Sequence, residues 1–199
     1  MKKELNIGYH SIGENYGFYF DKVPQNVLGN LKMQIDKIQN DFSSGVKLND
    51  KLAGEIQHEY VLSMEDSSMR ESFSDFIKNA TDKFGEKCDF YRYKEVPLLL
   101  DNNLWVNFQK KHEYNPLHTH FGVFSFVIWY QIPYYFEDEQ KYCYKNKKSP
   151  HGDFVFQYVK NGYGNKIEIE CIDLSVDKNL EGYMVLFPSN LYHCVYPFY

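Results

Sequence analysis

Arginine is almost missing from this sequence. Arg70 and Arg92 stand among 22 basic residues, the rest lysine, against 27 acidic ones. A net charge of −5 with no clustered cations gives no electrostatic reason to grip a nucleic-acid backbone, so no nucleic-acid partner is expected. Long apolar runs are missing too. Met1-Lys2-Lys3-Glu4 leads into Asn, Gly and Tyr, not into the apolar centre of a signal peptide. The longest apolar stretch, Phe121 to Trp129, is about half of what a membrane span needs. Cys88, Cys143, Cys171 and Cys194 form no C-x-x-C pair. These absences read as a reduced, cytoplasmic protein with no membrane partner. There is also no Gly-rich phosphate loop and no Ser/His/Asp, Cys/His or paired-carboxylate arrangement, which fits a chemistry that needs no acid–base dyad.

What is abundant is aromatic. Tyr, Phe and Trp make 18% of the chain, and they gather in its second half. Large flat rings pack well on pleated sheet, so the excess leans toward β. A length of 199 residues suits one domain. In its first part, Leu28, Leu31, Ile35 and Ile38 recur at steps of three and four, which predicts a helix after Pro24. A second helix is expected from Ser68, read with Glu71 as a capping box, along the stripe Met69, Phe73, Phe76, Ile77, Ala80 and Phe84. Gly85 would end it in the left-handed region. Residues 41–66 read as loop. After Cys88 the period shortens, and strands are expected at 89–93, 104–110, 123–132, 140–144, 153–159, 166–173, 183–187 and 192–196. The fold expectation is mainly β with N-terminal helices, a double-stranded β-helix (jelly roll) over residues 88–199, braced by two helices in residues 1–87.

His118-Thr119-His120 carries the chemistry. Residues two apart on a strand point the same way, roughly 6.7 Å apart. Two imidazoles at that spacing can converge on one metal ion at ~2.1 Å from each nitrogen. His193 is the candidate third ligand, early on a returning strand after Gly182 to Pro188. His10, His58, His112 and His151 lie in no such pattern and read as solvated, and the Lys145-Asn146-Lys147-Lys148 cluster reads as a solvated loop.

Trp105-Val106-Asn107, Tyr114-Asn115-Pro116-Leu117-His118-Thr119-His120, Ser125-Phe126-Val127-Ile128-Trp129-Tyr130 with Pro133, Leu186-Phe187-Pro188-Ser189, and His193-Cys194-Val195-Tyr196-Pro197 occur in that order. Together they resemble the 2-oxoglutarate/Fe(II)-dependent oxygenases of marine phages and bacteria. The resemblance covers about residues 50 to 199, with Leu52-Ala53-Gly54 and Glu59-Tyr60 as its weaker start. It implies a dioxygenase (a hydroxylase) with Fe(II) on His118 and His193 and 2-oxoglutarate as co-substrate. His120 stands where most of the wider superfamily has a carboxylate, so the set is three imidazoles rather than two plus an anion. Glu113 is the nearest alternative carboxylate. Such enzymes usually anchor 2-oxoglutarate with a basic residue beyond the last histidine, and no Arg or Lys follows His193. Either the domain is truncated at its C-terminus, or another group does that job, or 2-oxoglutarate is not bound; truncation is the expectation, and an unfinished barrel edge would invite a homodimer.

Asn107, Tyr130 and Ser125 are the residues expected to help hold a co-substrate, each weighed against ordinary packing or backbone pairing. Trp105 and Trp129 read as core. Two rival classes stay open. One is a cupin-like metalloprotein that does not use 2-oxoglutarate, either a three-histidine dioxygenase or a zinc hydrolase. The other is a non-catalytic β-barrel interaction module. The substrate, small molecule or peptide, is not written in the sequence.

Overall fold

The computed structural model describes residues 5–12, 16–88, 98–100, 104–142, 151–161 and 166–199. Among them are ten strands, all paired antiparallel, and three helices. The protein is mainly β. No helix among these residues is long and apolar enough to cross a membrane.

The first sheet runs β1 (Gly8–Ile12), β2 (Tyr16–Lys22), β9 (Tyr183–Pro188), β6 (Phe124–Trp129). The second runs β5 (Asn115–His118), β10 (Tyr192–Val195), β7 (Phe154–Asn161), β8 (Ile167–Leu174). A two-stranded ribbon joins β3 (Glu59–Leu62) to β4 (Leu104–Asn107). Helices α1 (Gln25–Asn40) and α2 (Ser67–Gly85) are long, and α3 (Phe136–Glu139) is a single turn.

Side-chain alternation on β9 divides the interior in two. Met184 and Leu186 face α1 and α2, with Leu31, Ile35, Phe73 and Phe84. Val185 and Phe187 face the second sheet, with Phe18, Phe20, Phe154 and Phe156. The rings interlock across that gap, Phe156 lying 5.0 Å from Phe187 and 5.4 Å from Phe18. Aromatic faces this large account for the 18% aromatic content.

Several expectations need correction. Gly8–Ile12 and Tyr16–Lys22, placed in the helical part, form β1 and β2. Residues 17–20 are all buried, because Tyr19 faces the helices while Phe18 and Phe20 face the second sheet. A strand covered on both faces shows no alternation to read. Glu59–Leu62, inside the expected loop, is β3. Residues 140–142 form a 3-10 turn rather than a strand, continuing α3, with Lys141 bonded back to Asp138 at 2.6 Å. Helix α2 is capped by Asp66, whose carboxylate accepts from the Met69 N–H at 2.7 Å, and Ser68 lies inside the first turn. Gly85 ends α2 without a positive φ, so no left-handed cap forms. The strand expected at 89–93, the Lys145–Lys148 cluster and Cys143 lie outside the described residues.

Candidate metal centre

His118 is the last residue of β5, and His193 sits opposite it on β10 in register. Pairing across an antiparallel ladder brings their rings to 4.3 Å between centroids. His120 arrives differently. The His-x-His triplet does not lie along one strand, because β5 ends at His118 and the chain turns toward β6 through Gly122 at φ +100. The His120 N–H donates to Ser189 O at 2.9 Å, which ties the turn to the end of β9. The outcome matches the expectation though the route does not. One ring nitrogen from each of His118, His120 and His193 lies within 4.8 Å of the others.

The hydrogen bonds settle which nitrogens are bare. A carbonyl only accepts, so His118 Nδ1 donates to Pro116 O at 2.7 Å and His193 Nδ1 donates to Leu191 O at 3.0 Å. A neutral imidazole then carries its lone pair on Nε2. His193 Nε2 faces His120 Nε2 at 3.2 Å. Two nitrogens each ~2.1 Å from one ion and ~90–110° apart would be separated by about 3.0–3.4 Å. That pair fits a shared metal ion, the His118 nitrogen lies within 4.8 Å of both, and the backbone carbonyls supply the outer hydrogen bonds that orient such ligands.

Electrostatics agree. Burial pushes His193 down to about 3, opposed by its bond to Leu191 O and reinforced by His118 and His120. Burial, with His118 beside it, pushes His120 down to about 4. Both are neutral near pH 7, the form that ligates. His193 is 2% exposed, packed against Phe154 and Phe187. Trp105, expected only as core, has its ring 5.8 Å from His120.

The other expected residues divide. Ser125 lies on the inward face of β6, its hydroxyl 2.9 Å from that of Ser189, next to the carbonyl that holds His120. Ser189 is named in the sequence only as the end of the Leu186-Phe187-Pro188-Ser189 motif and is given no role there, since a serine in a hairpin turn carries no signal of its own. Tyr130 follows β6 with the opposite parity. It packs against the helical core and reaches Lys32 on α1, so it is set aside as a co-substrate residue. Asn107 shares the face of Trp105 on β4, and its Oδ1 is buried without a partner. Directly across the ladder is Glu59, wholly buried, with Oε1 equally unpartnered. Burial first, and the charge of Glu113 second, push Glu59 up to about 7. Glu113 itself accepts from the Gln57 and Lys110 N–H groups and serves the loop, not the histidines. His10 and His58 are half-buried and stack on Phe18 and Phe42 instead of being fully solvated.

No protein-family model matches the chain, and no curated protein matches it either.

Proposed function

We propose that this chain is an iron-dependent oxygenase of the double-stranded β-helix type, with Fe(II) held by His118, His120 and His193 and 2-oxoglutarate as co-substrate. The observation that carries it is the convergence of three imidazoles, two of them oriented by backbone carbonyls, between two antiparallel sheets. The strand pairing supports the fold half of the reading. β7 pairs β8 in the second sheet, β6 pairs β9 in the first, and β5 pairs β10 back in the second. Antiparallel pairs nested in this way, alternating between facing sheets, are how a jelly roll winds.

Bound there, Fe(II) would supply oxygen activation coupled to oxidative decarboxylation of 2-oxoglutarate, ending in C–H hydroxylation. The chain's own residues do the rest. Pro116 O and Leu191 O keep the Nδ1 protons of His118 and His193 away from the ion. Phe154, Phe187 and Trp105 exclude water from the inner side of the site. The Ser125 and Ser189 hydroxyls and the free Oδ1 end of the Asn107 amide offer polar contacts to a bound carboxylate, either amide end being available by rotation.

An all-imidazole set also suits zinc with a bound water, which keeps the cupin-like reading as the competitor. Metal analysis separates the two. Anaerobic titration of the Fe(II) protein with 2-oxoglutarate should raise a visible charge-transfer band, and oxygen should then yield succinate. An iron-loaded protein showing neither would refute the oxygenase.

A further inference from the structure

The outer face of the second sheet is apolar and, away from Val155, which is 4% exposed, open. The ladder register puts Phe154, Phe156, Tyr158, Ile172 and His193 on the inner side, so their neighbours point outward. Those neighbours include Val159, Ile167, Ile169 and Tyr192, which are 54%, 75%, 67% and 54% exposed. Leu117 on β5 and Tyr196 beyond β10 extend the patch at 47% and 40%. A half-buried sheet ordinarily alternates apolar-in with polar-out, and this one is apolar on both sides. The first sheet has the same need and meets it with α1 and α2. No helix of the described residues plays that part here.

At on the order of 100 Å² apiece, the six side chains offer roughly 600 Å² of apolar surface, at the top of what a monomer exposes in one patch and near the ~800 Å² per partner of a standard interface. Among the described outward residues of β7, β8 and β10 the only formal charge is Asp173. Such a face has no cations for lipid headgroups and no charge pattern to select an unlike partner, while a neutral flat sheet is complementary to itself. We propose that this face binds the same face of a second copy, making a two-fold dimer of sheets packed across it. Exposed Cys171, beside Gln157 in the register, lies on this same face. The dimer uses the face of the sheet and not its edge, and does not depend on the metal reading.

The test is the mass of the full chain in solution by sedimentation equilibrium. Wild type should sediment at twice 23.7 kDa at micromolar concentration, and a short bis-maleimide should cross-link it through Cys171. Val159 and Ile169 are cross-strand partners, so Val159→Lys with Ile169→Glu preserves a favourable pair within the sheet while placing charge on the interface. The double variant should weaken dimerisation about a hundredfold or more, with an unchanged far-UV spectrum and unchanged metal stoichiometry. A wild-type monomer at 100-fold higher concentration overturns the proposal. So does a double variant that stays dimeric, or wild type that co-sediments with neutral lipid vesicles in place of self-associating.

Discussion

Two places in this molecule bury polar side chains beside each other, and they do so in opposite ways. At the histidines, each of two rings has one nitrogen committed to a backbone carbonyl and the other turned toward its neighbours. At the Glu59–Asn107 pair, two oxygens on opposing strands end with no partner. Burying an imidazole costs little because it can discharge itself, as His193 and His120 do. A carboxyl group can discharge itself only by taking up a proton, which is the direction in which Glu59 is pushed. The first arrangement is prepared for a cation and the second for a proton.

The sharpest way to break this contrast is His193→Ala. It should lower metal affinity by more than about a hundredfold and abolish the metal-dependent rise in Tm. Calorimetric titration with Zn(II) or anaerobic Fe(II) checks it. If affinity survives, the three rings are packing and not a centre. Next comes Glu59. Its carboxyl is raised from 4.5 to about 7, so between those values the folded chain keeps a proton that the unfolded chain releases. Stability from this group is fully present below pH 4.5 and is lost as pH rises through about 7, a loss of about 2–3 kcal/mol. Glu59→Gln should therefore be more stable than wild type at pH 8 and near parity at pH 5, by urea denaturation. A wild-type stability that is flat over that range counts against a buried carboxyl acid. Gly54→Ala acts on the same pair from the side. An added methyl would collide with Asn115 Oδ1 and come within 3.0 Å of Glu59 Oε1. It should cost about 1–2 kcal/mol and leave metal affinity unchanged. The smallest effect separates the two candidate caps of α2. Asp66→Ala should cost about 1 kcal/mol and Ser68→Ala a few tenths, by thermal denaturation.

The histidine centre was readable from sequence because its spacing is short and its chemistry narrow: a His-x-His and one later histidine define it. The geometry behind it was less so. A strand was expected through His118 and His120, whereas β5 ends at His118, and tertiary contact with Ser189 O puts His120 in place. Helix α2 was legible because its stripe faces a single core, but its cap was misread by two residues since Asp66 and Ser68 offer the same oxygen chemistry. β2 was invisible for the opposite reason, being covered on both sides. Tyr130 shows how little a residue type conveys without strand parity: one position along, it would have faced the second sheet and not the helices. The Glu59–Asn107 pairing joins residues 48 apart in the chain, and nothing local announces it.

The carbonyls of Pro116 and Leu191 each lie two residues before the histidine they hold. Tautomer choice at those rings is thus made by the local chain as soon as the strands form, so an incoming ion meets two donors already aimed. His120 has no such tether and is steered by Trp105 and by the turn it belongs to. Any exchange of ions or admission of a new ligand should begin by swinging that one arm aside, with the other two acting as a fixed jaw.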